Sequence, residues 1–413
     1  MLAAAPRAHV HLAGGLEVQG NRLRKDGRPF FVSGFNYWGA STLAREGNIR
    51  GWDQVRRALD RLQSLGINMV RTMGATEGPD TEPLRIVPSI QPAQGRYEAA
   101  GVAGVLRLAE ELQRRGLYAI LMLNNFWPWS GGMAQYVAWA GGRPIPYPLP
   151  GRGTFFEFID YAGEFYRTES AKEAFRDYVR FLVPQLSGNP AIVWELANEP
   201  RGMSNATAYR AWIDDTARLI KSLAPAQLVT TGSEGETPAP ELNGLDVVKD
   251  HMSPSIDMVT FHLWAQNWGW MRPDAVAKNY PDTLERARRY ITRHVDLAIK
   301  VGKPILLEEF GFPRDGGSFD PSGPTAWRDR YFNDIYGLVY SLLPDTPLAG
   351  VMPWAWSGDS RPARPGNYWN AGDPITGDPP HEQQGWYSVY QEDSTLGIIR
   401  AWSSRIAAVR TVS

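Results

Sequence analysis

LYAILMLNNF (residues 117–126) is an unbroken apolar run closed by a pair of asparagines. A strand with one wet face alternates apolar and polar residues, and this one does not. It therefore reads as a strand buried on both faces, the position a strand takes in a parallel sheet covered by helices. On its N-terminal side lie Val105, Leu108 and Leu112 at helical spacing, and before them the strand-like INMVRTMG (67–74). On its C-terminal side a helical segment near 171–186 leads into AIVWELANEP (191–200).

The same alternation extends outward to both ends of the chain. FFVSGFNY (30–37) precedes a helix carrying Val55, Leu59, Leu62 and Leu65. QLVTTGSEG (227–235), IDMVTFHLW (256–264), KPILLEEFG (303–311) and PLAGVMPWAW (347–356) follow, separated by helical segments near 208–223, 242–249, 284–301 and 328–342. A last helix lies near 396–409. Eight strands in βα alternation predict an α/β protein with one closed (β/α)8 TIM barrel. The segment 16–34, with Asp26-Gly27 as its turn, reads as an N-terminal β-hairpin capping the far end of the barrel. Two long connections, 127–168 after strand three and 357–394 after strand eight, rise from the C-terminal face, where barrel active sites lie. The expected organisation is a disordered or processed stub over 1–14 and a single catalytic domain over 15–413.

Composition excludes several classes. The chain holds 43 Lys+Arg against 44 Asp+Glu, without a basic block, which argues against nucleic-acid binding. No apolar run approaches the roughly 18 residues of a membrane span. Cysteine is absent, so disulfides, thiolate metal sites and cysteine nucleophiles are impossible. The six histidines (9, 11, 251, 262, 294, 381) show no ligand spacing, so neither a metal nor a cofactor is expected. There is no G-x-S-x-G, H-E-x-x-H, P-loop or G-x-G-x-x-G.

Of the 16 tryptophans, 11 fall at predicted strand ends or in the loops after them (38, 127, 129, 139, 264, 268, 270, 354, 356, 369, 386). Flat indole faces suit the C–H edges of pyranose rings. The polar residues sort in the same way: Arg71 ends strand two, Asn124 strand three, Asn198 and Glu199 strand four, Glu234 strand five, His262 strand six and Glu309 strand seven. Strands four and seven face each other across an eight-strand ring, so Glu199 and Glu309 can meet over its mouth. Retaining glycoside hydrolysis needs two carboxyls roughly 5–5.5 Å apart, one as acid/base and one as nucleophile. Arg71 is expected to keep the nucleophile ionised, Asn198 to bond a sugar 2-hydroxyl, and a less polar surrounding to keep Glu199 protonated. Glu195 reads as part of the barrel's interior polar layer. Each of these residues alone has a structural reading as an ion-pair or core partner; their coincidence at one end of different strands carries the inference.

GFNYW (34–38), NMVRTMG (68–74), GGMAQYVAWA (131–140), WELANEPRG (194–202), HLW (262–264), LEEFG (307–311) and WAW (354–356) resemble glycoside hydrolase family five, clan A, most closely its β-mannanases. The resemblance implies Glu199 as acid/base and Glu309 as nucleophile, with Arg71, Asn198 and His262 in support and Trp354 under the sugar being cleaved. Trp38, Asn124, Trp127, Glu234, Trp264, Trp356 and Trp369 are the further substrate-binding candidates. Two departures from the family pattern stand out: Trp264 where a tyrosine is common, and Asn124-Asn125-Phe126 where a histidine or polar aromatic is common.

The expected reaction is retaining hydrolysis of β-1,4-mannosidic bonds in a mannan-type polysaccharide or oligosaccharide. Exo-acting β-mannosidase activity, with the strand-eight loop closing one end of the cleft, is an open alternative, as is β-1,4-glucan cleavage. A carbohydrate-binding barrel without catalysis is the reading from another class. A monomer, secreted or periplasmic, with no membrane or nucleic-acid partner, completes the expectation.

Overall fold

A computed structural model describes residues 12–409. Residues 1–11 of the expected stub lie outside the described residues. The eight barrel strands are β1 (Val32–Asn36), β2 (Met69–Met73), β3 (Tyr118–Met122), β4 (Ile192–Glu195), β5 (Leu228–Thr230), β6 (Val259–Leu263), β7 (Ile305–Phe310) and β8 (Leu348–Pro353). They pair in parallel in the ring order β5-β4-β3-β2-β1-β8-β7-β6. A parallel bridge between Thr230 and Met258 joins the two remaining edges. Every residue of these strands is buried, which is why their sequences run apolar without alternation.

Outside the ring lie α1 (Ile49–Ser64), α2 (Ala99–Arg114), α3 (Gly132–Trp139), α4 (Phe155–Gly163), α5 (Glu169–Leu186), α6 (Ala206–Leu223), α7 (Val276–Val301), α8 (Ala326–Leu342) and α9 (Thr395–Ala407). Their apolar faces, such as Val55, Leu59 and Leu62 of α1, are fully buried against the strands. At roughly 25 cal/mol per Å² of apolar surface, this shell is the main stabilising contribution. None of the described helices is long and apolar enough to cross a membrane.

The N-terminal cap differs from the expected hairpin. It is a three-stranded antiparallel sheet over Leu16–Gln19, Arg22–Lys25 and Arg28–Pro29. Gly20-Asn21 makes a first two-residue turn and Asp26-Gly27 a second, with φ of +48° and +73° at the latter pair. Its Leu16 and Leu23 pack with Met69, Tyr118, Val193, Leu306 and Met352 as the plug at the N-terminal end of the barrel.

The connection after β3 is not irregular: it contains α3 and α4, the latter opened by a capping box between Thr154 and Glu157. The expected helix near 242–249 is two short turns, Pro240–Asn243 and Val247–Asp250, broken where Gly244 takes φ +65°. The connection after β8 is mostly without regular structure. Its ends pair as Trp356–Gly358 and Val389–Tyr390. Its middle is ordered by buried Asp378, which accepts from the backbone N–H of Gly385 (2.8 Å) and Tyr387 (2.6 Å).

Candidate active site

Arg71, the third residue of β2, is fully buried and organises the mouth. Its Nε and Nη2 donate to the two carboxylate oxygens of Glu195, each at 2.7 Å. Nη2 also donates to Asn198 Oδ1 at 2.7 Å, and Nη1 to Asn36 Oδ1 at 3.1 Å and to Glu309 Oε1. A guanidinium fork held on one edge by Glu195 presents its other edge to Glu309 in one orientation. Glu195 therefore positions Arg71, in agreement with its reading as an interior residue.

Glu199 stands just past the end of β4, in left-handed backbone with φ +48°. An L residue there costs roughly 1–2 kcal/mol, and the surrounding bonds hold it. Glu199 N donates to Gly232 O (2.9 Å), and the Trp127 indole Nε1 donates to Glu199 Oε2 (2.5 Å). His262 Nδ1 lies 2.6 Å from Glu199 Oε1 and 3.2 Å from Glu309 Oε2. One carboxylate oxygen of Glu199, one of Glu309 and an imidazole nitrogen all lie within 4.8 Å of one another. Among the described residues this trio is also a donor set close enough for a cation. Arg71 and His262 already supply positive charge there.

The charge pattern reverses the expectation for the two carboxyls. Burial would raise Glu199, but the His262 hydrogen bond and charge, Arg201 and the Trp127 indole outweigh it and hold the carboxyl down to about 2. Burial raises Glu309 to about 7, against the pull of His262 and Arg71 and with the nearby Glu199 charge adding to it. Burial would discharge His262, yet Glu309, Glu199 and Glu308 drive it up to about 10. The sequence expectation was a raised Glu199; the His262 hydrogen bond and charge lower it instead. That lowering follows from an imidazole that the sequence did not place between the carboxyls.

Trp127, Trp129, Phe155, Asn198, Glu199, Arg201, Glu234, Trp264, Asn267, Trp268, Glu309, Pro379, His381 and Glu382 line a cleft of about 300 Å³. Trp127, Trp264, Glu234 and Asn198 thus stand where sequence reasoning put them. Trp354 lies behind the wall, edge-on to both Trp264 (6.2 Å) and Trp129 (6.5 Å). Several candidates do not line the cleft. Trp38 is buried against Trp129 and donates to Gly377 O (2.9 Å). Trp356 is turned away into the packing with Phe35. Trp369 donates to Asp373 O within the long loop (3.0 Å). Asn124 borders a small internal void beneath Asn198. Position at a strand end does not fix which way a side chain turns, and that is why these four were included.

Sequence reasoning missed Arg201, His381, Glu382 and Glu308. Arg201 stacks on Trp127 (4.8 Å) and pairs bidentately with Glu234. Arg201 was readable only as the residue after Asn-Glu-Pro. His381 and Glu382 come from a loop whose path no periodicity predicts. Glu308 is fully buried and lies 3.4 Å from His262 Nε2 and 3.7 Å from Arg71 Nε.

A closed βα ring whose C-terminal mouth brings two glutamates from opposite strands to this separation, among indole rings, is the site of a glycoside hydrolase. The profile of the GH family 5 beta-mannosidase-like family matches residues 15–411, and the chain belongs to that family. It is 28% identical to the putative mannan endo-1,4-beta-mannosidase 9 of Oryza sativa subsp. japonica, over 86% of this chain and 84% of the relative. It superposes on the crystal structure of a glycoside hydrolase family 5 mannosidase from Rhizomucor miehei with a TM-score of 0.87 and 30% identity, covering 96% of this chain and 98% of the other. A glutamate-to-alanine mutant of that mannosidase, in complex with mannosyl-fructose, matches with a TM-score of 0.88, at the same identity and coverage.

Proposed function

We propose that the chain hydrolyses β-1,4-mannosidic bonds with retention of configuration. The observation that carries this reading is the placement of a Glu199 and a Glu309 oxygen within 4.8 Å of each other and of His262. So close an approach of the two carboxyls supports the retaining arrangement over the wider inverting one.

Glu309 Oε attacks the anomeric carbon while the proton held between His262 and Glu199 passes to the departing glycosidic oxygen. The C–O bond to the leaving group breaks and a Glu309 ester forms. With that proton gone from the His262–Glu199 pair, the Glu199 carboxylate takes a proton from water, whose oxygen attacks the same carbon and releases Glu309, and the pair regains its proton. Arg71, fixed by Glu195, offers an N–H to Glu309 as it leaves and regains its charge. The site is complete within one chain. A mannan too large to cross a membrane puts the work outside the cytoplasm, in a secreted or periplasmic setting.

A specific observation favours action at chain ends. The loop after β8 reaches the loop after β6, where Trp386 Nε1 donates to Gln266 Oε1 (3.0 Å) and the Tyr387 hydroxyl to Asn267 Oδ1 (2.6 Å). It also stacks His381 on Trp127 after β3 (6.4 Å, 14° between planes). One loop thus touches the connections after β6 and β3 and contributes Pro379, His381 and Glu382 to the cleft lining, an arrangement that favours a cleft closed at one end.

The test is the configuration of the first sugar released from mannobiose, read by proton NMR, with mannan and cellulose assayed in parallel. Retention is expected. Glu309→Ala loses turnover, and azide restores it by forming the opposite anomer. Glu199→Ala slows mannobiose by about 10²–10⁴-fold, the range of proton-transfer catalysis, and slows a dinitrophenyl mannoside far less. Inverted product, or near-wild-type activity in Glu309→Ala, sinks the proposal.

A further inference from the structure

The GGMAQYVAWA segment (131–140) belongs to the family resemblance, yet none of its side chains lines the catalytic cleft. Its two glycines explain its placement: a Cβ on Gly131 would meet Glu77 O at 2.0 Å, and one on Gly132 would meet Asn125 O at 2.1 Å. Only bare backbone brings the start of α3 this close to the end of β3. Gly132 N then donates to Glu77 Oε2 (2.9 Å) and Met133 N to Asn125 O (2.9 Å).

Pinned this way, α3 turns Gln135, Ala138 and Trp139 into a second groove of about 570 Å³, whose other walls include Glu82, Ile145 and Arg152. Those walls belong to the connections after β2 and β3, so the groove opens on the same face of the barrel as the cleft. Gln135 is only 5% exposed. Its Oε1 accepts from Arg85 Nη1 (2.9 Å), and Arg85 is itself held by Glu77 O (2.6 Å) and the Tyr147 hydroxyl. With the carbonyl end fixed, the Gln135 amide N–H₂ has no protein acceptor among the described residues. Trp139 is half-buried and braced edge-on by Tyr136 (5.4 Å, 86°).

We propose that this groove is a second saccharide-binding site, taking a short segment of a β-mannan chain separately from the catalytic cleft. The identity of the polymer rests on the mannan reading above. The lining selects a neutral polyhydroxylated ligand. Glu82 opposes an anion and Arg152 opposes a cation. A purely apolar ligand leaves the fixed Gln135 amide unpaired. An aromatic side chain, an oriented amide donor and one group of each charge are the partners that sugar rings and hydroxyls use. The volume falls in the range of ligand pockets. A polymer held at the groove raises its own concentration at the cleft, so the site acts on long substrates and not on mannobiose.

The test blocks the cleft first, with a 2-fluoro-mannosyl fluoride that esterifies Glu309, and then runs the blocked chain in native gels containing galactomannan. The blocked wild type remains retarded. Trp139→Ala weakens that retardation by about tenfold, the loss typical of a truncated aromatic anchor. Arg152→Ala, on an exposed loop where folding is not at stake, weakens it as well. A blocked wild type that migrates as in a plain gel overturns the proposal, as do two variants retarded like wild type, or equal retardation by hydroxyethyl cellulose. Failure to form the ester counts against the catalytic reading alone. The two variants, compared in the unblocked chain, then still decide whether the groove binds.

Discussion

His262 Nδ1 lies 2.6 Å from Glu199 Oε1, so the charge states of imidazole and carboxyl are linked across one short hydrogen bond. The surrounding carboxylates raise His262, and the His262 hydrogen bond and charge lower Glu199. The proposed mechanism needs one proton on the His262–Glu199 pair and Glu309 ionised. kcat/KM is therefore expected to rise as Glu309 ionises through about 7. It should fall as the proton of the pair is lost through about 10. A pH profile on mannobiose under kcat/KM conditions reads both limbs, as macroscopic values of the coupled trio. A plateau extending down to pH 4 would contradict the charge pattern.

Glu308 tests where that proton is controlled. It faces His262 Nε2 (3.4 Å) from the side opposite Glu199 and also approaches Arg71. Glu308→Gln keeps the shape and removes one of the acids that hold charge on His262. The alkaline limb should move toward acid by about one unit, equivalent to roughly 1.4 kcal/mol of lost interaction, with KM little changed. A variant whose activity falls evenly at every pH assigns Glu308 a packing role only.

Arg71→Lys removes the fork that engages Glu195, Asn198, Asn36 and Glu309 together. An ammonium supplies three donors and cannot reproduce the bidentate pair. A loss of about 10²-fold or more in kcat/KM is expected from misplacing one transition-state donor. Leaving buried acids poorly paired should also cost about 3–5 kcal/mol of stability. Kinetics and urea unfolding measure the two separately.

What was legible in the sequence follows from what periodicity encodes. Buried parallel strands run apolar, so β3 and its seven partners could be found, and with them the mouth where Arg71, Asn198, Glu199, His262 and Glu309 meet. Glu234 and Arg201 form their pair because consecutive strand ends are neighbours. The path of a long loop follows instead from individual bonds such as those of Asp378, so His381 and Glu382 could not be assigned to the cleft. Rotamer direction was equally hidden: Trp354 and Trp356 are two residues apart, yet one backs the cleft wall and the other packs on Phe35. The cap turn at Gly20-Asn21 was not legible in the sequence, where only Asp26-Gly27 reads as a turn.

Ring closure gives a stability prediction. Gly350 in β8 has φ +149°, and a Cβ there would lie 2.0 Å from Val32 O on β1. Gly350→Ala forces β8 away from β1 and should cost about 2–4 kcal/mol, in the upper range for single substitutions. Gly397 of α9 meets nothing within 4 Å, and Gly397→Ala should stabilise by up to about 1 kcal/mol through helix propensity and unfolded-state entropy. Thermal unfolding of the two variants should shift in opposite directions.

The proposed chain-end action rests on the loop after β8. His381 and Glu382 reach the cleft wall, and burial together with the neighbouring acids Asp378, Glu309 and Glu199 drives the Glu382 carboxyl well up. One of its buried oxygens has no hydrogen-bond partner among the described residues. On the proposed reading, the contacts of this loop with Gln266, Asn267 and Trp127 close one end of the cleft beyond Glu199 and Glu309. Mannopentaose reduced at its far end should therefore lose mannose one unit at a time, without internal fragments in the first few per cent of reaction. His381→Ala/Glu382→Ala should raise KM for mannobiose by about tenfold, as expected for losing hydrogen bonds and packing at an enclosed subsite, and should admit some internal cleavage. An immediate ladder of fragments from the wild type would instead mean that the loop leaves the groove open at both ends.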